Sequence, residues 1–338
     1  MVNVDHTDLQ SRSRSPIVAP GQIELRLEVG KPFAADELLR FLAVRAVPGV
    51  ERSGPRWYER SLRLPHGQGT VRLVADSTEP DSTGSEEDTA FVNCLLWLGD
   101  PCDVSAAVQM CRHLLDADAD PRAVDAGLSR DPRLAPLVSA RSGLRVPGHV
   151  DGNEIAIRAV LGQQVSVGHA RVLAGLLVGR YGEPLDALAA DGNADHPPEV
   201  THLFPTPDVL AVVDPQDIPM PRARGRALNN LCAALASGQI RLDRSADRID
   251  VRNSLLALPG IGPWTAGYIA MRALGDPDAF LPTDIGVRNA LKRLGENPGD
   301  AEQLSQAWRP WRSYAQMHLW TSLTSESVGS RRSPTREK

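Results

Sequence analysis

The chain has 338 residues, which at about 150 residues per domain predicts two or three domains and excludes a single small module. Hydrophobic residues make up 42% of a chain that also has 28 glycines, a globular composition that excludes global disorder. The 37 Lys and Arg against 42 Asp and Glu leave a net charge of −5, so any contact with nucleic acid has to be local.

Two further classes of protein are excluded by what the sequence lacks. The four cysteines are Cys94, Cys102, Cys111 and Cys232. They form no Cys-x-x-Cys pair and have no His at a zinc-like spacing, so we expect no zinc site. No apolar run approaches the roughly 18 residues needed to cross a bilayer, and residues 1–21 lack the apolar core of a signal peptide. We therefore expect a cytoplasmic protein with no membrane partner.

The first third of the chain has the pattern of an α+β domain with an antiparallel sheet. Apolar and polar residues alternate over Gln22–Val29, which predicts a half-buried strand. Further elements are predicted as a helix at Phe33–Val47, strands at Tyr58–Leu64 and Thr70–Ala75, and a helix at Val104–Leu115, with an apolar run at Ala90–Leu98 before the last helix. Residues 76–88 are predicted to form an acidic loop. The polar residues 1–21 and 325–338 are predicted to be disordered tails.

After about residue 116 the strand pattern ends and helices broken by Gly and Pro follow. Asp151 and Glu154 have capping-box spacing, which predicts one long helix that continues past Leu177. Residues 183–200 are acidic and turn-rich and are predicted to be a surface insertion. The remaining predicted helices are Pro207–Val213, Arg222–Ala236, Arg252–Leu258, Pro263–Leu274, Gly286–Leu294 and Leu304–Leu323.

The sequence from Leu258 to Gly262, Leu-Pro-Gly-Ile-Gly, lies between two predicted helices. Its two glycines permit backbone conformations closed to other residues, and Pro263 suits the first position of the next helix. Such a hairpin offers a phosphate group free N–H groups and a positive helix N-terminus. An ordinary Gly-rich helix turn explains these five residues equally well.

Asp284 precedes a segment whose apolar residues recur at helical spacing: Val287, Ala290, Leu291 and Leu294. An Asp at this point is a good N-cap. The functional alternative is a carboxylate held at the mouth of a pocket beside the hairpin.

Taken together, these segments resemble the helix-hairpin-helix DNA glycosylase superfamily, and in particular 3-methyladenine DNA glycosylase II. The resemblance rests on the hairpin, on Asp284 and on three further segments, which are Glu154–His169, Trp264–Tyr268 and Trp308–Trp320. A weaker similarity extends through Phe41–Val47 and Tyr58–Leu62, so that the resemblance covers roughly residues 23–323. It implies an α+β fold in which the N-terminal sheet domain is followed by two mostly helical domains with the catalytic cleft between them. The expected domains are 22–116 for the α+β domain, 150–276 for the helical domain with the hairpin, and 117–149 plus 277–324 for the second helical domain.

The resemblance also implies roles for individual residues. Asp284 would be the catalytic carboxylate, and Trp264, Tyr268 and Trp320 would form a pocket for a damaged base flipped out of the duplex. These aromatic faces would attract a positively charged alkylated purine, although core packing is the alternative for each of them. Gln163 and Gln164 would fill the void left in the DNA, whereas a plain solvated surface is their alternative. The backbone of Gly260, Ile261, Gly262 and Thr265 would bind the DNA phosphates.

The residues at two further positions of the family pattern bear on the cofactor and on the mechanism. The chain has three lysines, Lys31, Lys292 and Lys338, and Trp264 stands where bifunctional relatives carry a Schiff-base lysine. We therefore expect a monofunctional enzyme that leaves an abasic site. No cysteine follows Cys232, so we expect no iron–sulfur cluster and no required cofactor. The resemblance implies an alkali-metal ion on the main-chain carbonyls of Leu256, Leu258 and Ile261.

The expected partner is double-stranded DNA that contains alkylated bases, bound by a monomer. Two other functions remain open at this point. One is a glycosylase for another base lesion, and the other is a DNA-binding module that does no chemistry.

Overall fold

The computed structural model describes residues 22–75, 89–186 and 199–324. The predicted tails 1–21 and 325–338, the acidic loop 76–88 and part of the predicted insertion, 187–198, lie outside the described residues. Within the described ranges, no helix combines the length and the apolar character that crossing a bilayer requires.

The N-terminal part forms the predicted antiparallel sheet, with strands in the order β1-β5-β4-β3-β2. Its strands are β1 (Gln22–Gly30), β2 (Glu51–Gly54), β3 (Trp57–Leu64), β4 (Gly67–Ala75) and β5 (Thr89–Leu98). In β1 the alternation predicted from the sequence is confirmed, because Leu27 and Val29 are buried while Arg26 and Glu28 are exposed. The edge strand β2 was not predicted, because four residues are too few to show a period of two.

Two helices pack with this sheet: α1 (Ala35–Ala43) and α2 (Val104–Leu115). The prediction for α2 is confirmed at both ends. Helix α1 is shorter than the predicted Phe33–Val47, and the residues after it continue as an irregular segment that carries Arg45.

The rest of the chain is mostly helical, as predicted. The helices are α3 (Pro121–Leu128), α4 (Ala135–Ala140), α5 (Gly152–Leu161), α6 (Val167–Tyr181), α7 (Pro207–Ala211), α8 (Arg222–Ala236), α9 (Arg248–Leu256), α10 (Pro263–Arg272), α11 (Ile285–Arg293), α12 (Ala301–Ser305) and α13 (Arg312–Ser322). Helices α3 and α4 were not predicted. The prediction that no strand follows residue 116 is wrong at one place, because Glu183–Pro184 (β6) and His202–Leu203 (β7) pair as a short antiparallel ribbon.

The single long helix predicted after Asp151 is wrong. Helix α5 ends at Leu161, and α6 begins only at Val167. The break, residues 162–166, contains Gln164 with a φ of 56°, a left-handed conformation that cannot continue a right-handed helix. Ser166 then caps α6 by accepting a hydrogen bond from the His169 N–H at 3.2 Å. We call residues 162–166 the break loop.

The predicted capping box at the start of α5 is half right. The Asp151 side chain accepts from the Asn153 N–H at 2.8 Å and caps the helix. Glu154 does not return to the helix start, because its carboxylate is buried against Arg60 of β3 at 2.6 Å and Arg158 of α5 at 2.9 Å. A buried carboxylate is stable only when paired, so these guanidinium groups compete successfully for it.

The segment predicted as one helix from Leu304 to Leu323 is also broken. Helix α12 ends at Ser305, a short 3-10 turn covers Gln306–Trp308, and α13 begins at Arg312. Pro310 has no N–H to donate and its ring blocks the preceding turn, so the helix has to restart after it.

The buried apolar side chains form two clusters. The first joins the sheet to α2, α3, α11 and α13 through residues such as Leu96, Leu114, Leu291 and Leu319. The second lies among α5, α6, α8, α9 and α10. Buried residues from 22–116 and from 277–324 thus share one core, and the predicted division into domains stays a prediction.

Candidate active site

A cleft of about 840 Å³ lies where the two clusters meet. It is lined by the break loop, the first turns of α10 and α11, the end of α13 and the segment after α1. The predicted pocket residues Trp264, Tyr268, Asp284 and Trp320 all line it, as do Gln163 and Gln164. Residues that are 16 to 121 positions away from Asp284 in the sequence therefore meet at one site, as the sequence analysis expected.

The hairpin beside the cleft connects α9 to α10. Gly260 has a φ of 89°, and a Cβ there would lie 2.5 Å from the Cβ of Ala227 in α8, so only glycine fits. Gly262 differs from the prediction, because its φ of −96° is open to other residues. A Cβ at Gly262 would meet nothing within 4 Å, so glycine here leaves an uncovered backbone at the start of α10.

The other two hairpin residues predicted to bind DNA have buried side chains. Ile261 is 5% exposed and anchors the hairpin in the second apolar cluster. Thr265 is 2% exposed, and its hydroxyl accepts a hydrogen bond from the Gln163 side chain. Any contact of these two residues with a phosphate has to involve their backbone.

Asp284 is both an N-cap and a residue of the cleft. Its Oδ1 accepts a hydrogen bond from the Val287 N–H at 3.0 Å and thereby caps α11, so the prediction that Asp284 is an N-cap is confirmed. The same Oδ1 accepts from the indole Nε1 of Trp320 at 2.8 Å, and Oδ2 accepts from the indole Nε1 of Trp264 at 2.9 Å. The carboxylate is thereby fixed in position while it remains partly exposed to the cleft.

The three predicted pocket aromatics are half-buried, and each of them stacks on another ring. The rings of Trp264 and Tyr268 are stacked, with centroids 5.3 Å apart and planes at 8°. The Trp320 ring stacks on Phe41 of α1, with centroids 6.4 Å apart. By contrast, Trp308 is 1% exposed and lies in the core.

The two glutamines predicted to enter the DNA have different environments. The Gln163 amide donates to the Gly260 carbonyl at 3.0 Å and to the Thr265 hydroxyl at 2.9 Å, so it ties the break loop to the hairpin. Gln164 is exposed, and its backbone has the left-handed conformation described above. The geometry therefore favours Gln164 over Gln163 as a side chain that is available to a ligand at the cleft.

Sequence reasoning missed four residues at this site. They are Phe41 and three arginines that line the cleft near it, Arg45, Arg158 and Arg272. The Arg45 guanidinium carbon lies 3.6 Å from the centroid of the Phe41 ring, and that of Arg272 lies 4.8 Å from it. In the sequence, the segment Phe41–Val47 shows only a weak resemblance to the family. Nothing in a single sequence indicates that this segment reaches a cleft formed by α10 and α11.

These cations change the ionisation of their neighbours. Burial alone would raise the pKa of Tyr268, but the charges of Arg272 and Arg45 lower it below its ordinary value. Burial, together with the nearby charge of Arg272, lowers the pKa of Arg45 to about 10 despite its interaction with Tyr268. Arg45 therefore stays charged at neutral pH.

The main-chain carbonyls expected to hold an alkali-metal ion belong to the turn that leads into the hairpin. The Ile261 N–H donates to the Leu258 carbonyl at 3.1 Å, which leaves that oxygen a second lone pair. Leu256 is the last residue of α9, where helix carbonyls lack helical partners. Carbonyl oxygens of this kind are ligands that hard cations prefer.

Comparison with known proteins identifies the class of the fold. The 3-methyladenine DNA glycosylase from Archaeoglobus fulgidus superimposes with a TM-score of 0.72, covering 91% of this chain and 100% of that chain at 17% identity. At this level of identity the likeness concerns the fold. Residues 24–151 match the family model of the AlkA N-terminal domain.

Two relatives identify the family. DNA-3-methyladenine glycosylase 2 of Escherichia coli is 35% identical over 292 residues, which cover 86% of this chain and 94% of that protein. A probable bifunctional transcriptional activator/DNA repair enzyme AlkA of Mycobacterium tuberculosis is 45% identical over 316 residues, which cover 93% of this chain. The chain spans 60% of the length of that mycobacterial relative. The chain belongs to the AlkA family of DNA-3-methyladenine glycosylases.

Proposed function

We propose that the chain is a monofunctional DNA glycosylase that removes alkylated, cationic purines such as 3-methyladenine from double-stranded DNA. It would hydrolyse the N-glycosidic bond and leave an abasic site. The observation that carries this proposal is the carboxylate of Asp284, which is held by two tryptophan N–H groups at 2.8 and 2.9 Å in a cleft beside the hairpin.

The proposed chemistry needs a fixed negative charge where positive charge develops. As the base departs, the sugar becomes an oxocarbenium-like cation. A carboxylate whose oxygens are already oriented stabilises that cation without reorganisation, and this kind of preorganisation gives large rate effects. Asp284 would also position the attacking water. A cationic base leaves as a neutral molecule, so it needs little help from a general acid.

Recognition of the base would rest on the aromatic rings. A base in the duplex is out of reach of Asp284, so it has to be flipped into the cleft. The stacked rings of Trp264 and Tyr268, and the indole of Trp320, offer electron-rich faces to a cation. Each such contact contributes about 0.5–2 kcal/mol.

The grip on the DNA would come from the backbone of the hairpin and from the break loop. The uncovered backbone at Gly262 and the N-terminus of α10 suit a phosphate group. The exposed Gln164, at the edge of the cleft, would fill the void that the flipped base leaves. This assigns the insertion to Gln164 and a linking function to Gln163.

A lysine nucleophile is disfavoured by the lining of the cleft. Among the described residues, the lysines are Lys31 and Lys292, and neither lines the cleft. No step of this reaction requires a cofactor. If an alkali-metal ion binds, the carbonyls of Leu256, Leu258 and Ile261 would hold it, and its charge would add to the attraction for a phosphate at the hairpin. We further propose that the protein acts as a monomer in the cytoplasm.

The test is to incubate the protein with duplex DNA that carries 3-methyladenine, 7-methylguanine, hypoxanthine or ethenoadenine and to identify the released bases. We expect free alkylated purines, and strands that stay intact until heat or alkali breaks them at abasic sites. Release of only mismatched or oxidised bases would instead indicate a glycosylase for another lesion. Binding without any release would indicate a DNA-binding module, and an adduct trapped by borohydride would show an amine nucleophile.

A further inference from the structure

Arginines line the cleft in an arrangement that a pocket for cationic bases does not require. They are Arg45, Arg158, Arg171 and Arg272. A guanidinium group repels a positively charged base, so these residues need another explanation. Their hydrogen bonds distinguish them.

Two of the four are committed to structural partners. Arg158 pairs with the buried carboxylates of Glu51 and Glu154, and its Nη2 donates to the Arg45 carbonyl at 2.6 Å. Arg272 is 2% exposed, and it donates to the carbonyls of Pro147 and Gly148 and to the Tyr268 hydroxyl. These two guanidinium groups connect elements of the fold.

Arg171 lies on the exposed side of α6, where its Nε donates to the Ala46 carbonyl. It therefore belongs to the rim of the cleft rather than to the pocket for the base.

Arg45 is different in both position and bonding. Its guanidinium lies over Phe41, the ring on which Trp320 stacks, and it donates to the Phe41 carbonyl at 3.2 Å. Its charge also helps to lower the pKa of the nearby Tyr268 hydroxyl. A guanidinium has five N–H donors, so these contacts leave donors for a group that enters the cleft. The cation thus lies over the ring on which Trp320 stacks and close to Tyr268.

We propose that Arg45 is a specificity-determining residue that donates a hydrogen bond to a carbonyl oxygen on the edge of the flipped base. It would favour purines with a carbonyl group over purines without one. This inference rests on the proposed function and names a preference within it. The same charge would disfavour a cationic base that has no acceptor to offer.

The test uses two bases that differ at C6, where guanine has the carbonyl and adenine an amino group, and at C2, where only guanine has an amino group. 3-Methylguanine and 3-methyladenine carry the methyl group on the same nitrogen and are both cationic in DNA, but only 3-methylguanine has a carbonyl oxygen. DNA methylated with dimethyl sulfate contains both, so their release can be measured in one reaction by mass spectrometry. The ratio of the two kcat/KM values is then independent of enzyme concentration.

We expect Arg45→Met, which keeps the length of the side chain but has no donor, to lower the ratio of 3-methylguanine to 3-methyladenine release by about tenfold. Release of 3-methyladenine should be unchanged or faster, because a repelling charge has been removed. Arg45→Gln, which is polar but shorter and uncharged, should give the same direction. The neutral pair hypoxanthine and ethenoadenine, with and without a carbonyl, should follow the same order.

Arg171→Met is the matched control, since it removes a cleft arginine from the rim and should change both bases alike. A ratio that stays the same in Arg45→Met or Arg45→Gln, with base release retained, would overturn the proposal. Thermal unfolding identifies a variant that fails to fold, and the other variant then decides. If the unmodified protein releases no alkylated base at all, the proposed function itself fails, which is a distinguishable result.

Discussion

The two walls of the cleft are constructed on different principles. One wall, which we call the carboxylate wall, consists of Asp284, Trp264 and Trp320, joined by hydrogen bonds of 2.8 and 2.9 Å. The other, the arginine wall, consists of Phe41 and Arg45, where the guanidinium lies 3.6 Å from the ring centroid and makes a longer bond of 3.2 Å. The first wall holds one charge in one place, as stabilising a transition state requires. The second presents a cation with spare donors, which suits discrimination among bases.

The carboxylate wall is broken most directly by Asp284→Asn, which is nearly isosteric but uncharged. We expect base release to fall by about a thousandfold or more, because the charge that stabilises the sugar cation is lost. Affinity for undamaged duplex should persist, since it comes from the hairpin backbone. Single-turnover excision within about tenfold of the unmodified protein would contradict the assignment of Asp284.

Acid should weaken both sides of the cleft through buried histidines whose pKa values are lowered. On the carboxylate side, burial, together with the charge of Arg141, lowers the pKa of His318 to about 4 in α13, the helix that carries Trp320. The unfolded chain binds this proton near pH 6.5 and the folded chain only near pH 4, so stability present above pH 6.5 is lost as pH falls through that window. We expect His318 to account for about 3 kcal/mol of that loss.

On the arginine side, burial and the charges of Arg60 and Arg158 lower the pKa of His149 well below its ordinary value of 6.5, so acid removes stability there in the same direction. Glu51 adds a second loss at lower pH. Burial alone would raise the pKa of Glu51, but Arg158 and Arg60 hold it below its ordinary value of 4.5. Stability from this group is therefore present above pH 4.5 and lost only below it. Denaturant titrations between pH 7.5 and 4.5 check the contribution of His318. His318→Leu should flatten the slope by up to one proton, and an unchanged slope would show that His318 titrates normally.

The variants Trp264→Phe and Trp320→Phe test the hydrogen bonds between the two tryptophans and Asp284. Each keeps an aromatic ring and removes one N–H donor, so we expect release of every base to slow by about ten- to a hundredfold. The matched control is Trp308→Phe, which removes a similar indole bond of 2.8 Å to Asp131 in the core. It should lower the melting temperature with little effect on the rate per folded molecule.

Trp320→Ala separates the two functions of that ring. If Trp320 also recognises charge, truncation should slow release of 3-methyladenine more than release of hypoxanthine, by up to about thirtyfold. If Trp320→Phe slows the release of all bases equally and Trp320→Ala discriminates no further between them, Trp320 only positions Asp284 and does not recognise charge.

The smallest expected effect concerns the bond that joins the break loop to the hairpin. Gln163→Ala removes two neutral hydrogen bonds, and we expect release of a paired lesion to slow by about three- to tenfold. Affinity for undamaged duplex should change by less than about twofold. Thr265→Val should have a similar effect, and the double variant should be no worse than either single variant.

A lesion placed opposite an abasic site provides the decisive substrate for this link, because such a base has already lost its partner. Gln163→Ala should release it nearly as fast as the unmodified protein does. An equal loss on paired and unpaired lesions would show that Gln163 supports the fold rather than the flipping of the base.

The sequence alone predicted the features that depend on neighbours along the chain. The period of two in β1 follows from one buried face, and the bounds of α2 follow from its apolar spacing. The N-cap at Asp284 and the start of α10 at Pro263 follow from the preferences of these residue types. The resemblance then brought Trp264, Tyr268, Asp284 and Trp320 to one cleft, and the structure places all four there.

Tertiary structure decided what depends on distant partners. The spacing around Asp151 predicts a continuous helix, but the bonds from Gln163 to the hairpin and the left-handed backbone at Gln164 belong to a break that no local pattern indicates. Glu154 turns inward because Arg60, from a strand 94 positions earlier, reaches it. Arg45 lies at the cleft because the buried pairing of Arg158 with Glu51 and the bond to the Arg45 carbonyl hold that segment there. Such contacts cost desolvation and loop entropy that only the assembled fold offsets, so residues near in sequence cannot specify them.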